Sequence, residues 1–192
     1  FYDQRDNRAA LLPLVDGARV LDLFSYGGGW GVCAARHGAK SALCVDSSAA
    51  ALASVQRNAQ GSGVGERVTC MQADAFDACK TLRDRAERFD VVIVDPPAFI
   101  KRKKDAEQGA LAYRRINEAA LRLVVDGGLI VSCSCSHHYS AEALLDGLNR
   151  AARVLGMHLR VLRRLGQSAD HPIHPAMPET EYLKGFIAEV RR

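Results

Sequence analysis

Residues 19–31 read RVLDLFSYGGGWG, an apolar run of strand length, RVLDLF (19 to 24), that breaks into a glycine-rich turn, FSYGGGWG (24 to 31). A run with so little polar alternation belongs to a strand covered on both faces, which is the condition of a parallel sheet. Glycines directly after such a strand let the backbone approach a ligand closely. They also aim the N-terminal amides of the next helix, expected to begin near Val32, at that ligand. The dinucleotide pattern GxGxxG can be started at Gly27 and Gly29, but its third glycine would fall on Val32. The match therefore fails where helix and strand must pack tightly, and a hydride-transferring dehydrogenase loses ground.

Working outward, further apolar runs recur with helical segments between them: SALCVD (41 to 46), RVTCMQ (67 to 72), FDVVIVD (89 to 95) and GLIVSCS (128 to 134). Helical periodicity marks 107 to 125, where Ala112, Ile116, Ala119, Ala120 and Leu123 recur at three and four. It marks 140 to 155 through Leu144, Leu148, Ala152 and Leu155. Five alternations of strand and helix predict an α/β fold, a doubly wound sheet with right-handed crossovers whose ligands sit beyond the carboxyl ends of the strands. HLRVLRRL (158 to 165) and YLKGFIAEV (182 to 190) depart from this rule, because the proline-rich DHPIHPAMP between them leaves no room for a crossover helix. They are expected to be antiparallel neighbours.

The 192 residues, 48% hydrophobic and 25% charged, suit one domain with a sizeable core. The net charge of +4 permits an acidic partner without demanding one. No apolar run is long enough for a membrane helix, and FYDQRDNR at the start has no signal-peptide core. The six cysteines (Cys33, Cys44, Cys70, Cys79, Cys133, Cys135) mostly sit in apolar runs, form no CxxC pair and predict a reducing, cytoplasmic setting without a zinc site. Charged residues from position 3 and the absence of an initiator Met suggest part of a longer chain.

Asp22 inside the first run, Asp46 ending the second and Asp74 after the third, in QADAF, place three acids at successive strand ends. An acid closing the second strand can accept from both ribose hydroxyls, and one after the third can receive an adenine amino group. Each alone is equally well read as a helix cap; the shared location favours a nucleoside site.

LDLFSYGGGWG, VDSS, QADAF and DPPAF, in this order, resemble the successive motifs of S-adenosylmethionine-dependent class I methyltransferases. FYDQRDNR, SCSCSHH (132 to 138) and ADHPIHPAMPETEYLKGF (169 to 186) are similar to the large-subunit ribosomal RNA cytosine-C5 methyltransferase I family. The resemblance covers nearly the whole chain and implies a Rossmann-like seven-stranded sheet, mostly parallel with the last strand antiparallel and helices on both faces. It implies S-adenosylmethionine as cofactor, 23S ribosomal RNA as substrate and no metal. It also implies an N-terminal RNA-binding module that precedes the catalytic domain, here 1–192, and is missing from it. By position it puts Gln4, Arg5 and Arg8 near the methionine end of the cofactor, with Phe24, Ser25, Tyr26 and Gly27 around it. Asp46 falls on the ribose, Asp74 at the adenine, and Asp95 where cofactor and base meet. The family usually has Thr where Gly27 stands and Phe where Trp30 stands, so no side-chain contact from residue 27 is expected.

DPPAF (95 to 99) follows the most apolar run. Its two prolines fix the backbone and remove two amide donors, leaving Asp95, Pro96, Pro97 and Phe99 to face a planar base. Such a motif also occurs in enzymes that methylate exocyclic amino groups, so cysteine decides the atom. Carbon 5 of cytosine is a poor nucleophile until a thiolate adds at carbon 6. SCSCS supplies Cys133 and Cys135, and the family motif aligns on Ser134, Cys135 and Ser136. Cys135 is the expected nucleophile, with Cys133 packing and His137 and His138 in a loop. Asp95 is expected to grip the cytosine amino group and, when protonated, N3. Lys101, Arg102, Lys103 and Lys104 in IKRKK are expected to neutralise RNA phosphates. Two other readings stay open: an RNA purine-nitrogen methyltransferase and a cofactor-binding RNA module without turnover.

Overall fold

The computed structural model describes residues 2–192. The runs read above become β1 (Arg19–Leu23), β2 (Ser41–Asp46), β3 (Val68–Gln72), β4 (Phe89–Val94) and β5 (Val124–Ser134), followed by β6 (His158–Gly166) and β7 (Lys184–Arg191). Helices α1 (Arg5–Leu11), α2 (Gly29–Arg36), α3 (Ala49–Gly61), α4 (Ala75–Asp84), α5 (Ala106–Leu121) and α6 (Ala141–Val154) lie between and before them. The sheet order is β3-β2-β1-β4-β5-β7-β6. β1 to β5 pair in parallel, and β7 runs antiparallel to both β5 and β6. The seven strands with the last one reversed match the sequence expectation. The reversal follows from the short 167–183 connection, which returns the chain at the same end of the sheet.

Strand alternation feeds two cores. On one face Val20, Val91, Ile93, Val131 and Ile187 meet Leu11, Trp30, Val32 and Val55 from α1 to α3. On the other, Leu21, Leu23, Val92, Val94 and Ile130 meet Ala78, Leu82, Ile116, Leu121 and Leu148 from α4 to α6. Double coverage is why VVIV has no polar alternation: all four residues are buried. Ser48, Asp74 and Ser140 cap α3, α4 and α6 by accepting from the backbone amides of Ala51, Phe76 and Ala143.

Helix α2 starts at Gly29, three residues before the expected Val32. Gly28 supplies the left-handed N-cap at φ 77°, and a Cβ there would lie 2.9 Å from a Val32 methyl. Gly31 carries the close helix-to-strand approach, since a Cβ on it would lie 2.6 Å from Cys44 Sγ. The tight contact that the dinucleotide pattern assigns to its third glycine is therefore present, one residue earlier than that spacing allows.

Candidate active site

The carboxyl ends of β1, β2, β3, β4 and β5 bring the predicted residues to one edge of the sheet. Asp95 leaves β4 and anchors the centre: Gln4 Nε2 donates to one carboxylate oxygen and Trp30 Nε1 to the other, both at 2.9 Å. Gln4 is buried, and its own oxygen accepts from Asn7 Nδ2 at 2.6 Å. Burial raises the Asp95 carboxyl above the ordinary range, and the two donors pull the other way. Gln4 and Asp95 are thus joined directly although 91 positions apart. Arg8 lies over the α2 start, its guanidinium within 3.6 Å of the space a Cβ on Gly29 would take. Arg5 is placed differently from its expected neighbours: its guanidinium pairs with Asp6 and, at 3.7 Å, with Asp170 of the 167–183 segment.

The glycine turn is bent by two non-glycine residues in the left-handed region, Phe24 at φ 61° and Tyr26 at φ 48°. Backbone in this region is costly for residues with a Cβ and clusters at functional sites. The bend is held by Asp46, whose carboxylate accepts from the Tyr26 amide and the Ser48 amide, each at 2.9 Å. The carbonyl of Gly27 accepts from Asn58 Nδ2 at 2.8 Å. The Tyr26 ring is left 61% exposed above this turn. Asp74 is the cap of α4, with exposed Phe76 beside it. Capping and ligand binding use different lone pairs of one carboxylate, so the cap leaves acceptor capacity on Asp74. Ser25 Oγ and Asp3 Oδ1 are buried with no partner. Native interiors rarely leave such atoms unsatisfied, and here they lie in the loop and segment expected to face a polar ligand.

Asp22 does not reach this edge. It is wholly buried in β1, accepts from the Gly31 amide at 2.9 Å and is pushed up to about 7 by burial. Of the three acids read as a nucleoside set, Asp46 and Asp74 stay at the rim and Asp22 sits beneath it.

Cys133 and Cys135 differ in exposure. Cys133 is fully buried, with its Sγ 2.9 Å from where a Cβ on Gly185 would stand. Cys135 follows the last residue of β5, is partly exposed, and has its Sγ 4.0 Å from the Pro96 carbonyl. Thiol and DPP loop are therefore adjacent. Burial, then Asp95 and Asp3, raise the Cys135 thiol, while a backbone hydrogen bond at Cys135 itself and, after it, Lys184 pull the other way. His137 and His138 are exposed and meet edge to face, with centroids 5.0 Å apart. Phe99 leans on Phe24 and on Tyr113, with centroids 6.2 and 4.8 Å apart. Tyr113 is fully buried against Tyr139, so it is core and cannot stack on a base. Pro96 is buried, Pro97 exposed, and Lys101, Arg102, Lys103 and Lys104 are all exposed, Arg102 bridging Asp105 at 2.9 Å.

Three neighbours of the thiol escaped the sequence reading: Asp3, Tyr182 and Lys184. The Tyr182 hydroxyl donates to Asp3 Oδ2 at 2.9 Å across 179 positions, and Lys184 Nζ donates to the Ser136 carbonyl at 2.6 Å. No local spacing signals contacts of that range. A groove of about 750 Å³ between α5 and α6 is lined by Gln108, Arg114, Tyr139 and Arg150, among others, and shares no residue with the Asp95 and Cys135 cluster.

A family model described as "Conserved hypothetical protein 95" matches residues 7–123, more than half of the chain. The chain belongs to that family. Its curated relatives include the ribosomal RNA large subunit methyltransferase I of Shewanella amazonensis, 38% identical over 99% of this chain and 48% of the relative. The protein of the same name from Aeromonas salmonicida is 35% identical over 100% of this chain and 48% of the relative. The chain thus spans about half the length of the curated relatives it matches. Among solved structures, SMU.776, in complex with SAH, superposes with a TM-score of 0.87 at 23% identity, covering 98% of this chain and 50% of that one. That likeness identifies the architecture of this family member as the class I methyltransferase fold.

Proposed function

We propose that this chain is the catalytic domain of an S-adenosylmethionine-dependent methyltransferase that modifies carbon 5 of a cytosine in 23S ribosomal RNA through a covalent Cys135 adduct. The observation that carries the reading is the junction of Cys135 with the DPP loop, Sγ to Pro96 carbonyl 4.0 Å, at the sheet edge where Asp46 and Asp74 retain free lone pairs. The names of the curated relatives support the substrate class.

The cofactor fits the residues present. The spare lone pairs of Asp46 suit two ribose hydroxyls, and those of Asp74 suit an adenine amino group. The unpartnered Ser25 Oγ and Asp3 Oδ1 offer polar contacts toward the methionine end. When bound, S-adenosylmethionine supplies a methyl group on a sulfonium sulfur, which carbon 5 takes while the carbon–sulfur bond breaks. The chain's own work is on the pyrimidine. Cys135 thiolate forms a bond to carbon 6 and shifts the ring's electron pair onto carbon 5. Asp95, raised by burial, holds the amino group and, in its protonated form, N3, where charge accumulates as sulfur adds. Loss of the carbon-5 proton to a base returns the electron pair to the ring and expels the Cys135 thiolate. Exposed Lys101, Arg102, Lys103 and Lys104 beside DPPAF hold phosphates, and the target base leaves its stack or is already unpaired.

The test is RNA carrying 5-fluorocytidine, which cannot surrender a proton from carbon 5 and so traps the adduct. A covalent complex lost in Cys135→Ala and kept in Cys133→Ala is expected. Methyl transfer undiminished by Cys135→Ala overturns the reading in favour of purine-nitrogen methylation.

A further inference from the structure

Lys184 is 8% exposed, and among the described residues its ammonium has one hydrogen-bond partner, the Ser136 carbonyl at 2.6 Å. Among the described residues no carboxylate lies within ion-pair distance of it. A cation largely removed from water, with Glu181 favouring its charge only from beyond ion-pair distance, is costly, so its place calls for a function. The register of β5 with β7 sets Lys184 opposite Ser134, which delivers the ammonium to the turn that carries Cys135. Ser136 is pinned from other sides as well. Its hydroxyl meets Tyr113 OH at 2.9 Å and the Ile100 amide at 3.1 Å, and its amide donates to Ser134 Oγ at 3.2 Å.

Among the described residues, six groups act on the Cys135 thiol or feel its charge. Asp95 at the end of β4 and Asp3 before α1 are acids that disfavour its anion. Tyr113 from α5, Tyr182 before β7 and Cys133 in β5 are uncharged near neutral pH and feel the thiolate as a like charge. Lys184 from β7 is the cation: burial pulls its ammonium down, Cys135 and Glu181 favour its charge against that, and it in turn favours the thiolate.

We propose that Lys184 is a positioning residue for the Cys135 nucleophile: through the Ser136 carbonyl it fixes the turn bearing the thiol, and its charge stabilises the thiolate against Asp95 and Asp3. The proposal rests on the reading of Cys135 as nucleophile.

The experiment follows the pH dependence of Cys135 alkylation by iodoacetamide, resolved by peptide mass spectrometry, in the chain and in two variants. Lys184→Gln can still donate to the carbonyl but has no charge; its alkylation midpoint should rise by about one pH unit, a roughly tenfold slower reaction near pH 7.5. Lys184→Arg keeps the charge and should restore most of the rate. An unchanged midpoint in folded Lys184→Gln overturns the proposal.

A second measurement needs no substitution. With lysine labelled at the ε-carbon, the Lys184 titration followed by NMR should move down when Cys135 is blocked as a neutral methyl disulfide. No movement overturns the proposal equally. Failure of the underlying reading looks different: Cys135→Ala would methylate at full rate while the thiol–ammonium coupling persisted.

Discussion

Asp22 shows how one residue can be legible as a type and misread as to place. Its carboxyl, wholly buried beneath the glycine turn with one oxygen on the Gly31 amide and the other unpartnered, is raised by burial from 3.8 to about 7. Between those values the folded chain holds a proton that the unfolded chain has lost. The stabilisation is therefore complete below about pH 4 and is lost as pH rises through 7, at on the order of 1.4 kcal/mol per pH unit. Asp22→Asn removes the titration, so denaturant melts of the two proteins from pH 4 to pH 8 should show wild type losing ground by a few kcal/mol. A constant difference across that range would show that Asp22 does not titrate there. Asp95 sits differently, just past β4, with its two carboxylate oxygens taking donors from Gln4 and Trp30. Asp95→Ala would leave the buried Gln4 amide and the Trp30 indole without their acceptor, costing about 1–3 kcal/mol for each. Methyl transfer in that variant should fall at least a hundredfold, measured with tritiated cofactor on ribosomal RNA. What the sequence withheld was burial: an acid inside a strand and an acid ending one look alike as letters, and only the neighbouring helix decides which reaches solvent.

At the scale of elements, the glycine turn divides what periodicity can and cannot say. β1 and β4 were legible because double-sided burial writes continuous apolar runs, and the observed strand bounds differ from the reading by little except where β5 extends back to Val124. The start of α2 was not legible, because GGGWG offers several registers and the choice is made by the surfaces that each glycine must pass. Gly31 is the one pressed on β2. Gly31→Ala should destabilise by about 1–3 kcal/mol, because its Cβ would stand 2.6 Å from Cys44 Sγ and 3.2 Å from an Asp22 oxygen. Gly61, the last residue of α3, has open space around it, and Gly61→Ala should stabilise by about 0.5–1 kcal/mol through helix propensity and the unfolded chain. Thermal melts of the two single variants check both signs, and a neutral Gly31→Ala would mean that α2 can lift from the sheet at no cost.

Across the whole molecule, the site is closed by contacts between the chain's two ends. Ser168 takes the Asp6 amide on its hydroxyl while its own amide and hydroxyl both donate to the Asp3 carbonyl, each at 2.9 Å. Gln167 holds the returning segment together through the Thr180 carbonyl at 2.6 Å and the Tyr182 and Leu183 amides at 3.3 and 3.4 Å. This seam brings Asp3, Tyr182 and Lys184 to Cys135, and its separation in sequence is why these surroundings of the thiol were unreadable. Charge at this scale was more transparent: the cations of IKRKK stand exposed beside the DPP loop, as their position in the chain foretold. Phosphate contacts release counterions, so each one contributes roughly 0.7–0.9 to the slope of log affinity against log salt. Replacing Lys101, Lys103 and Lys104 with alanine should therefore flatten that slope by about 2 to 3 in binding titrations of a 23S fragment between 50 and 200 mM salt. Affinity at the low-salt end should fall most. Arg102 is left in place because its ion pair with Asp105 already occupies part of its charge. A slope unchanged in the triple variant would move the RNA track off this loop, with the arginines lining the α5–α6 groove next to be tested.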